Sequence, residues 1–193
     1  MLTISSEGVA ISRVPLPLLP ETAARLRRAF RASEDDEWVR QFAREHGWAE
    51  ANRKYLEWHH ERGREEMVAL MAALGLKTTP SPRIAAELVA LGYEVFMLPE
   101  GFQGSIERLT DDLIRISVAV CPVFERLEQA HWQGVTACSS WHHRQGWYDA
   151  MGIDATDSQL GEEKWGDAAC VCEVAFASPV PAGVTKTVAR TGA

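Results

Sequence analysis

From residue 20 onward the apolar positions fall first at helical spacing and later at strand spacing. Ala23, Leu26 and Phe30 recur three and four apart after Glu21 and Thr22, which predicts a helix just beyond Pro15, Pro17 and Pro20. Ser33 with Glu34, Asp35 and Asp36 behind it offers a hydroxyl cap and an acidic first turn. A second helix carrying Trp38, Val39 and Phe42 is therefore expected, closing near Gly47. A longer helix over residues 49–74, loosened at Gly63, places Tyr55, Leu56, His59, Met67, Leu70, Met71 and Leu74 on its apolar side and stops at Gly75. Pro82 after Ser81 suits the first turn of another helix, with Gly92 as its end.

The period then changes. Residues 93–98, YEVFML, are aromatic and branched enough for a strand, and residues 105–109 are a weaker strand candidate. Between residues 112 and 121, Ile114, Ile116, Val118 and Val120 alternate with Leu113, Arg115, Ser117, Ala119 and Cys121, the pattern of a half-buried strand. Residues 123–130 and 135–151 read as helices, the second stopped at Gly152; residues 155–161 and 168–178 read as strands. Short connections between successive strands make an α+β fold the economical solution. It has a helical N-terminal half and, in the C-terminal half, an antiparallel sheet with helices packed on one face. At 193 residues the chain is expected to be a single domain, 1–193. Within it, residues 1–20 form an extended arm, 21–92 the helical part, 93–178 the α+β part and 179–193 a flexible tail.

Composition narrows the classes of function. A hydrophobic fraction of 46% with 24% charged residues belongs to a globular chain and not to a disordered one. The net charge of -7, with no basic block, argues against nucleic acid as a partner. No apolar run approaches the roughly 20 residues of a membrane span, so no membrane partner is expected. The first residues lack the basic start and apolar run of a secretory signal, which points to the reducing cytoplasm. There, the 4 cysteines read as thiols, thiolates or metal ligands more readily than as disulfides.

The chemistry-bearing residues gather between Cys121 and Cys172. Cys121 closes a predicted strand just before Pro122 opens a helix, and a thiol at a helix N-terminus is biased toward thiolate; the plainer alternative is a small buried residue at a strand end. Cys138 and His142 lie four apart on a predicted helix, hence on one face, with Ser139 and His143 a second such pair turned by about 100°. Cys170 and Cys172 lie two apart on a predicted strand and share a face with Val174 and Phe176, so they line either a core or a site. Asp149, Glu162, Glu163, Asp167 and Glu173 add carboxylates; Trp141, Trp147, Tyr148 and Trp165 add aromatic walls for a small pocket. His46, His59 and His60 read as structural or surface histidines.

Four segments together carry a resemblance: CPVFERL at 121–127, ACSSWHH at 137–143, YDAMGI at 148–153 and GDAACVCEVAF at 166–176. The chain resembles the L-2-amino-thiazoline-4-carboxylic acid hydrolase-like family, and in layout it is similar to vinyl-reductase-type small-molecule-binding domains. The resemblance implies a fold with a cysteine after a strand, a second on the next helix and a terminal strand opened by glycine and Asp. It also implies an activity that adds water across a C=N bond of a thiazoline ring to give an N-carbamoyl amino acid. The positions shared with the family are Cys121, Cys138, Asp167 and either Cys170 or Cys172. Where the family has an acidic residue soon after the helix cysteine, this chain has Ser140, Trp141 and His142.

The expectation is thus a small hydrolase acting on a C–N bond of a heterocyclic or amidine-like compound. Its catalytic residues would be Cys121, Cys138, His142 and Asp167, with Trp141, Tyr148 and His143 contacting substrate. Either a thiolate attacks carbon, or a divalent transition metal, zinc by preference, is held by Cys121, Cys138, His142 and Cys172 and activates water. The alternative is a sensor module binding a small molecule or metal without turnover. A homo-oligomer through a helical face is a further expected partner.

Overall fold

Two long helices laid directly on each other organise the molecule. The computed structural model describes residues 3–5, 8–10, 16, 18–30, 37–129, 137–162 and 166–177. Its helices are α1 (Pro20–Ala29), α2 (Glu37–His46), α3 (Trp48–Ala73), α4 (Pro82–Gly92), α5 (Pro122–Gln129) and α6 (Ser139–Met151). Its strands are β1 (Thr3–Ser5), β2 (Gly8–Ala10), β3 (Gln103–Arg108), β4 (Leu113–Val120), β5 (Ala155–Gly161) and β6 (Cys170–Phe176). This is the expected α+β class, with helices filling the N-terminal half and the main sheet in the C-terminal half.

The α3–α6 contact explains two glycines. A Cβ on Gly63 would stand 2.1 Å from the His143 carbonyl oxygen, and one on Gly146 would stand 2.0 Å from that of His60. The helices are therefore in backbone contact at two reciprocal points, and only glycine fits at either. Gly63 does not loosen α3, which runs unbroken to Ala73. Around this seam Met67, Leu70, Trp147 and Tyr148 are buried together with the inner residues of the sheet. A smaller apolar group of Val39, Ala43, Ala51, Tyr55 and Leu127 ties α2 and α5 to the outer end of α3.

Residues 93–98 are not a strand. The backbone of Gly92 keeps helical angles, φ -59° and ψ -44°, and the chain continues as a π-turn over Tyr93–Met97 and a 3-10 turn over Leu98–Glu100. Tyr93, Val95, Phe96 and Met97 are all buried, so the segment is apolar on nearly every side. Such a run has no period to reveal its conformation. Gly92 is small because the Trp147 ring lies 3.1 Å from where its Cβ would be, not because it ends the helix.

The sheet order is β3-β4-β6-β5, antiparallel throughout, and β1 pairs with β2 in a separate ladder within the predicted arm. Register fixes what faces inward: Ile116 opposes Ile106 and Cys172, Val118 opposes Cys170, Val174 opposes Asp157, and Gln159 opposes Cys172. Opposed residues share a face. Ile106, Ile114, Ile116, Cys172, Val174 and Phe176 belong to the same buried cluster as α3, α4 and α6, so the helices pack on this face. The other face carries the Arg115–Glu173 cross-strand pair, N to O 2.6 Å, and is half-exposed. The predicted tail and the Ser33 cap lie outside the described residues.

Candidate functional site

At the end of the sheet where β4 leads into α5, the inner face is not filled by helix. The strands contribute Ile116, Val118, Cys170, Cys172, Asp157 and Gln159 there; α5 adds Val123, Phe124 and Leu127; and the start of α6 adds Ser140, Trp141 and Arg144. Cys121, Cys138 and Glu162 complete the lining of a cavity of about 240 Å³. All four cysteines thus meet around one space, and none forms a disulfide. On the scale where about 150 Å³ accommodates benzene, this volume suits a molecule of roughly ten heavy atoms.

The local sequence explains each position. Cys121 follows the last residue of β4, and its Sγ accepts the Phe124 backbone N–H at 3.5 Å, so the thiol caps α5. Burial nevertheless dominates: it pushes the Cys121 thiol up to about 12, against the lowering effect of that N–H. The thiolate that the helix start suggested is not stabilised here. Cys172, 4% exposed at the centre of β6, is likewise pushed up to about 12, first by burial and also by the Asp157 carboxylate.

The polar floor of the cavity was not singled out from the sequence. Arg144 Nε donates to Asp157 Oδ2 at 2.8 Å and Nη2 stands 2.8 Å from the same oxygen as an ion-pair contact, with side chains 6% and 0% exposed. Tyr148 donates to the same oxygen at 3.3 Å, and Arg144 Nη1 donates to the Tyr93 hydroxyl at 3.4 Å. Burial opposes the Arg144 charge, but the Asp157 carboxylate paired with it keeps the guanidinium cationic. Asp157 Oδ1 is buried, and the Cys172 thiol neighbours the same carboxylate. The available signals were faint. Arg144 stands one turn beyond Ser140 and Trp141, and Asp157 alternates with Ala155 and Gln159 on a strand otherwise rich in polar residues.

The other predicted residues separate. α6 begins at Ser139, so Cys138 is its N-cap with extended backbone, φ -65° and ψ 119°, and the four-residue helical spacing to His142 does not apply. Cys138 lines the cavity; His142 does not, and its ring lies against Trp141 at 4.6 Å. Burial lowers the His142 pKa from its ordinary value. Trp141 forms part of the rim, while Tyr148 stands behind Asp157. His143 points the opposite way, with Nε2 2.7 Å from Glu66 Oε2, an oxygen that also accepts the Trp147 indole N–H at 3.3 Å. Asp167 accepts the Glu162 backbone N–H at 2.8 Å and so shapes the cavity rim from outside.

For the proposed metal set the consequence is direct. Cys121, Cys138 and Cys172 border the cavity but His142 is turned aside, and among the described residues no group of three or more His, Cys, Asp or Glu side chains is placed to hold a metal ion. The donor set does not fit zinc, which needs at least three converging ligands. Among the described residues no helix is long and apolar enough to cross a membrane.

Fold and cavity together define an α+β domain with one end of its sheet open beneath two helix starts. The same fold occurs in a trafficking protein particle complex subunit 3 from Naegleria fowleri covalently bound to palmitic acid, with TM-score 0.51 and 12% identity over 83% of this chain and 97% of that one. Two further solved structures overlap less, each with TM-score 0.41 and 11% identity over 83% of this chain. One comes from work on haem redox potential modulated by protein-induced porphyrin distortion, with 87% of its chain covered; the other from work on H-NOX activation, with 88% covered. No protein-family model and no curated protein matches the chain.

Proposed function

We propose that this protein is a small-molecule-binding module whose ligand occupies the cavity between the sheet, α5 and the start of α6. The observation that carries the reading is the cavity's make-up: apolar walls from three elements closing on a single buried polar pair, Arg144 and Asp157. That is the usual composition of a ligand pocket, a greasy lining with a few fixed polar groups. Binding is favoured over turnover because burial keeps the Cys121 and Cys172 thiols neutral, and a neutral thiol is a poor nucleophile. The Naegleria protein of the same fold holds palmitic acid, which makes an apolar ligand a natural choice to try.

The test is a titration with the environment-sensitive fluorophore 2-(dimethylamino)naphthalene, set against a Val118→Trp variant that fills the cavity. Saturable binding to the natural protein and none to the folded variant is the expected result. Equal binding to both places the probe elsewhere and sinks the reading.

A hydrolase in the style of the aminothiazoline-carboxylate family is the second reading, favoured by Cys138. Its thiol is half-buried, borders the cavity and stands at the N-terminus of α6. In that reading the Cys138 thiol adds to the ring C=N carbon, its proton passing to the ring nitrogen. The ring C–S bond then breaks to free the ligand's own thiol, and water displaces Cys138 to give the N-carbamoyl product. Release of an N-carbamoyl product from 2-aminothiazoline-4-carboxylate, lost on Cys138→Ser, would establish it; an unchanged substrate would remove it.

A further inference from the structure

The charges around the cavity do not balance. Among its lining residues only Arg144, Asp157 and Glu162 are charged, and the buried Arg144–Asp157 pair is matched within itself. The Glu162 carboxylate, half-exposed just beyond β5, is left over, and among the described residues no cation pairs with it. Asp167 adds a second negative charge at that corner, because its Oδ2 accepts the Glu162 backbone N–H at 2.8 Å. Arg126, the cation of α5, is not part of the lining. The start of α6 brings the Trp141 indole to the same lining, 42% exposed.

From this we infer that the ligand is an organic cation: an apolar body with an ammonium or amidinium head held at the rim by Glu162 and Trp141. The inference rests on the reading that the cavity is a ligand site. Ile116, Val118, Phe124 and Leu127 offer only apolar contact, so the body, roughly ten heavy atoms, goes inward. The head does not follow it, because a charge buried without a partner is strongly unfavourable. At the rim the head keeps part of its water, meets an unmatched carboxylate and finds an indole whose ring quadrupole attracts cations. An anionic head would find no unmatched cation in the lining and two carboxylates at the same corner. The net charge of -7 on the whole chain also favours the approach of a cation over that of an acid.

Three isosteric probes that differ in charge test this on the intact chain: 4-phenylbutanamidine, cationic at neutral pH, 4-phenylbutanamide and 4-phenylbutanoate. Amide shifts along β5 and β6 and the Trp141 indole N–H signal, followed by NMR during titration, report both affinity and place. An exposed ion pair and an exposed cation–π contact each contribute about threefold, and the acid is repelled by a similar factor. The amidine should therefore bind about tenfold or more tighter than the butanoate, with the amide between them. The amide or the butanoate binding as tightly as the amidine overturns the inference while leaving the cavity a ligand site. No shift with any of the three overturns the ligand site itself, and the inference with it. In Glu162→Gln the amidine should weaken about threefold with the amide unaffected; an unchanged preference for the amidine in that folded variant refutes the role of Glu162. Should the variant not fold, the three probes on the natural chain still decide.

Discussion

Replacing Gly63 by Ala reverses sign between two ways of reasoning, which makes it the most informative single change. Helix propensity alone says that Ala for Gly inside a long helix stabilises by about 1 kcal/mol. The structure puts the new Cβ 2.1 Å from the His143 carbonyl oxygen. The nearest comfortable carbon–oxygen approach is about 3.3 Å, so α3 and α6 must separate by about 1.2 Å at that point. A gap of that size forfeits a quarter to a half of the dispersion attraction across the seam. It also stretches the 2.7 Å His143–Glu66 and 3.3 Å Trp147–Glu66 hydrogen bonds, and leaving a buried carboxylate short of donors costs about 1–3 kcal/mol. With the propensity gain subtracted, the net loss should be about 3 kcal/mol. Gly146→Ala, whose Cβ would stand 2.0 Å from the His60 oxygen, should match it. Urea denaturation followed by circular dichroism measures both. Either variant equal to or more stable than the natural chain would mean that the helices are not in backbone contact, and the central claim about the fold would fall.

Four further outcomes come from the buried groups. Arg144→Met leaves Asp157 buried without its cation and should destabilise by about 3–5 kcal/mol, whereas Arg144→Met combined with Asp157→Leu should recover most of the loss; urea curves showing a negligible single-variant effect would contradict the buried pair. With Cys121 and Cys172 pushed up to about 12, a disulfide reagent at pH 8 should label the natively folded protein quickly at Cys138 and Cys170 and slowly at the other two, which peptide mapping by mass spectrometry can resolve. Because those two folded values lie above the unfolded ones, their contribution to stability is whole below about pH 8.5 and drains away as pH rises toward 12. His59 behaves oppositely. Burial, then the His143 charge, holds its pKa well below the ordinary value, so its contribution is present above about pH 6.5 and is lost on acidification. Melting temperature should fall from pH 7 to pH 5, and His59→Gln should flatten that fall by up to one proton's worth, about 1.4 kcal/mol per pH unit; an unchanged slope would count against the assignment.

The reach of the sequence follows from periodicity. α1 and α3 sit one-sided on the core, and β4 has a half-exposed face, so each shows its repeat plainly, whereas α4, buried nearly all round, is marked by Ser81 and Pro82 at its start. Residues 93–98 are buried on several sides, which erases the repeat, and β-rich composition then suggested a strand where the chain forms a π-turn. Gly63 and Gly92 carried the same ambiguity. A glycine in a helical run reads as a loosening or an end, and only the partner brought against it shows that it is a place of close approach.

For the candidate site, residue order alone singles out the segment from Cys121 to Cys172 and the four thiols in it, because helix starts and alternating strands have predictable faces. It also fixed that Cys170 and Cys172 share a face, since strand alternation is local. Tertiary structure alone decided that those thiols surround a cavity and that His142 and His143 turn away from it. It alone joined Arg144 to Asp157 as the floor. The helix began one residue too late for Cys138 and His142 to share its face, and a single residue of helix is a rotation of about 100°. Burial then outweighed the helix end at Cys121. Desolvation is a property of everything packed around a group, and no stretch of neighbouring residues encodes it.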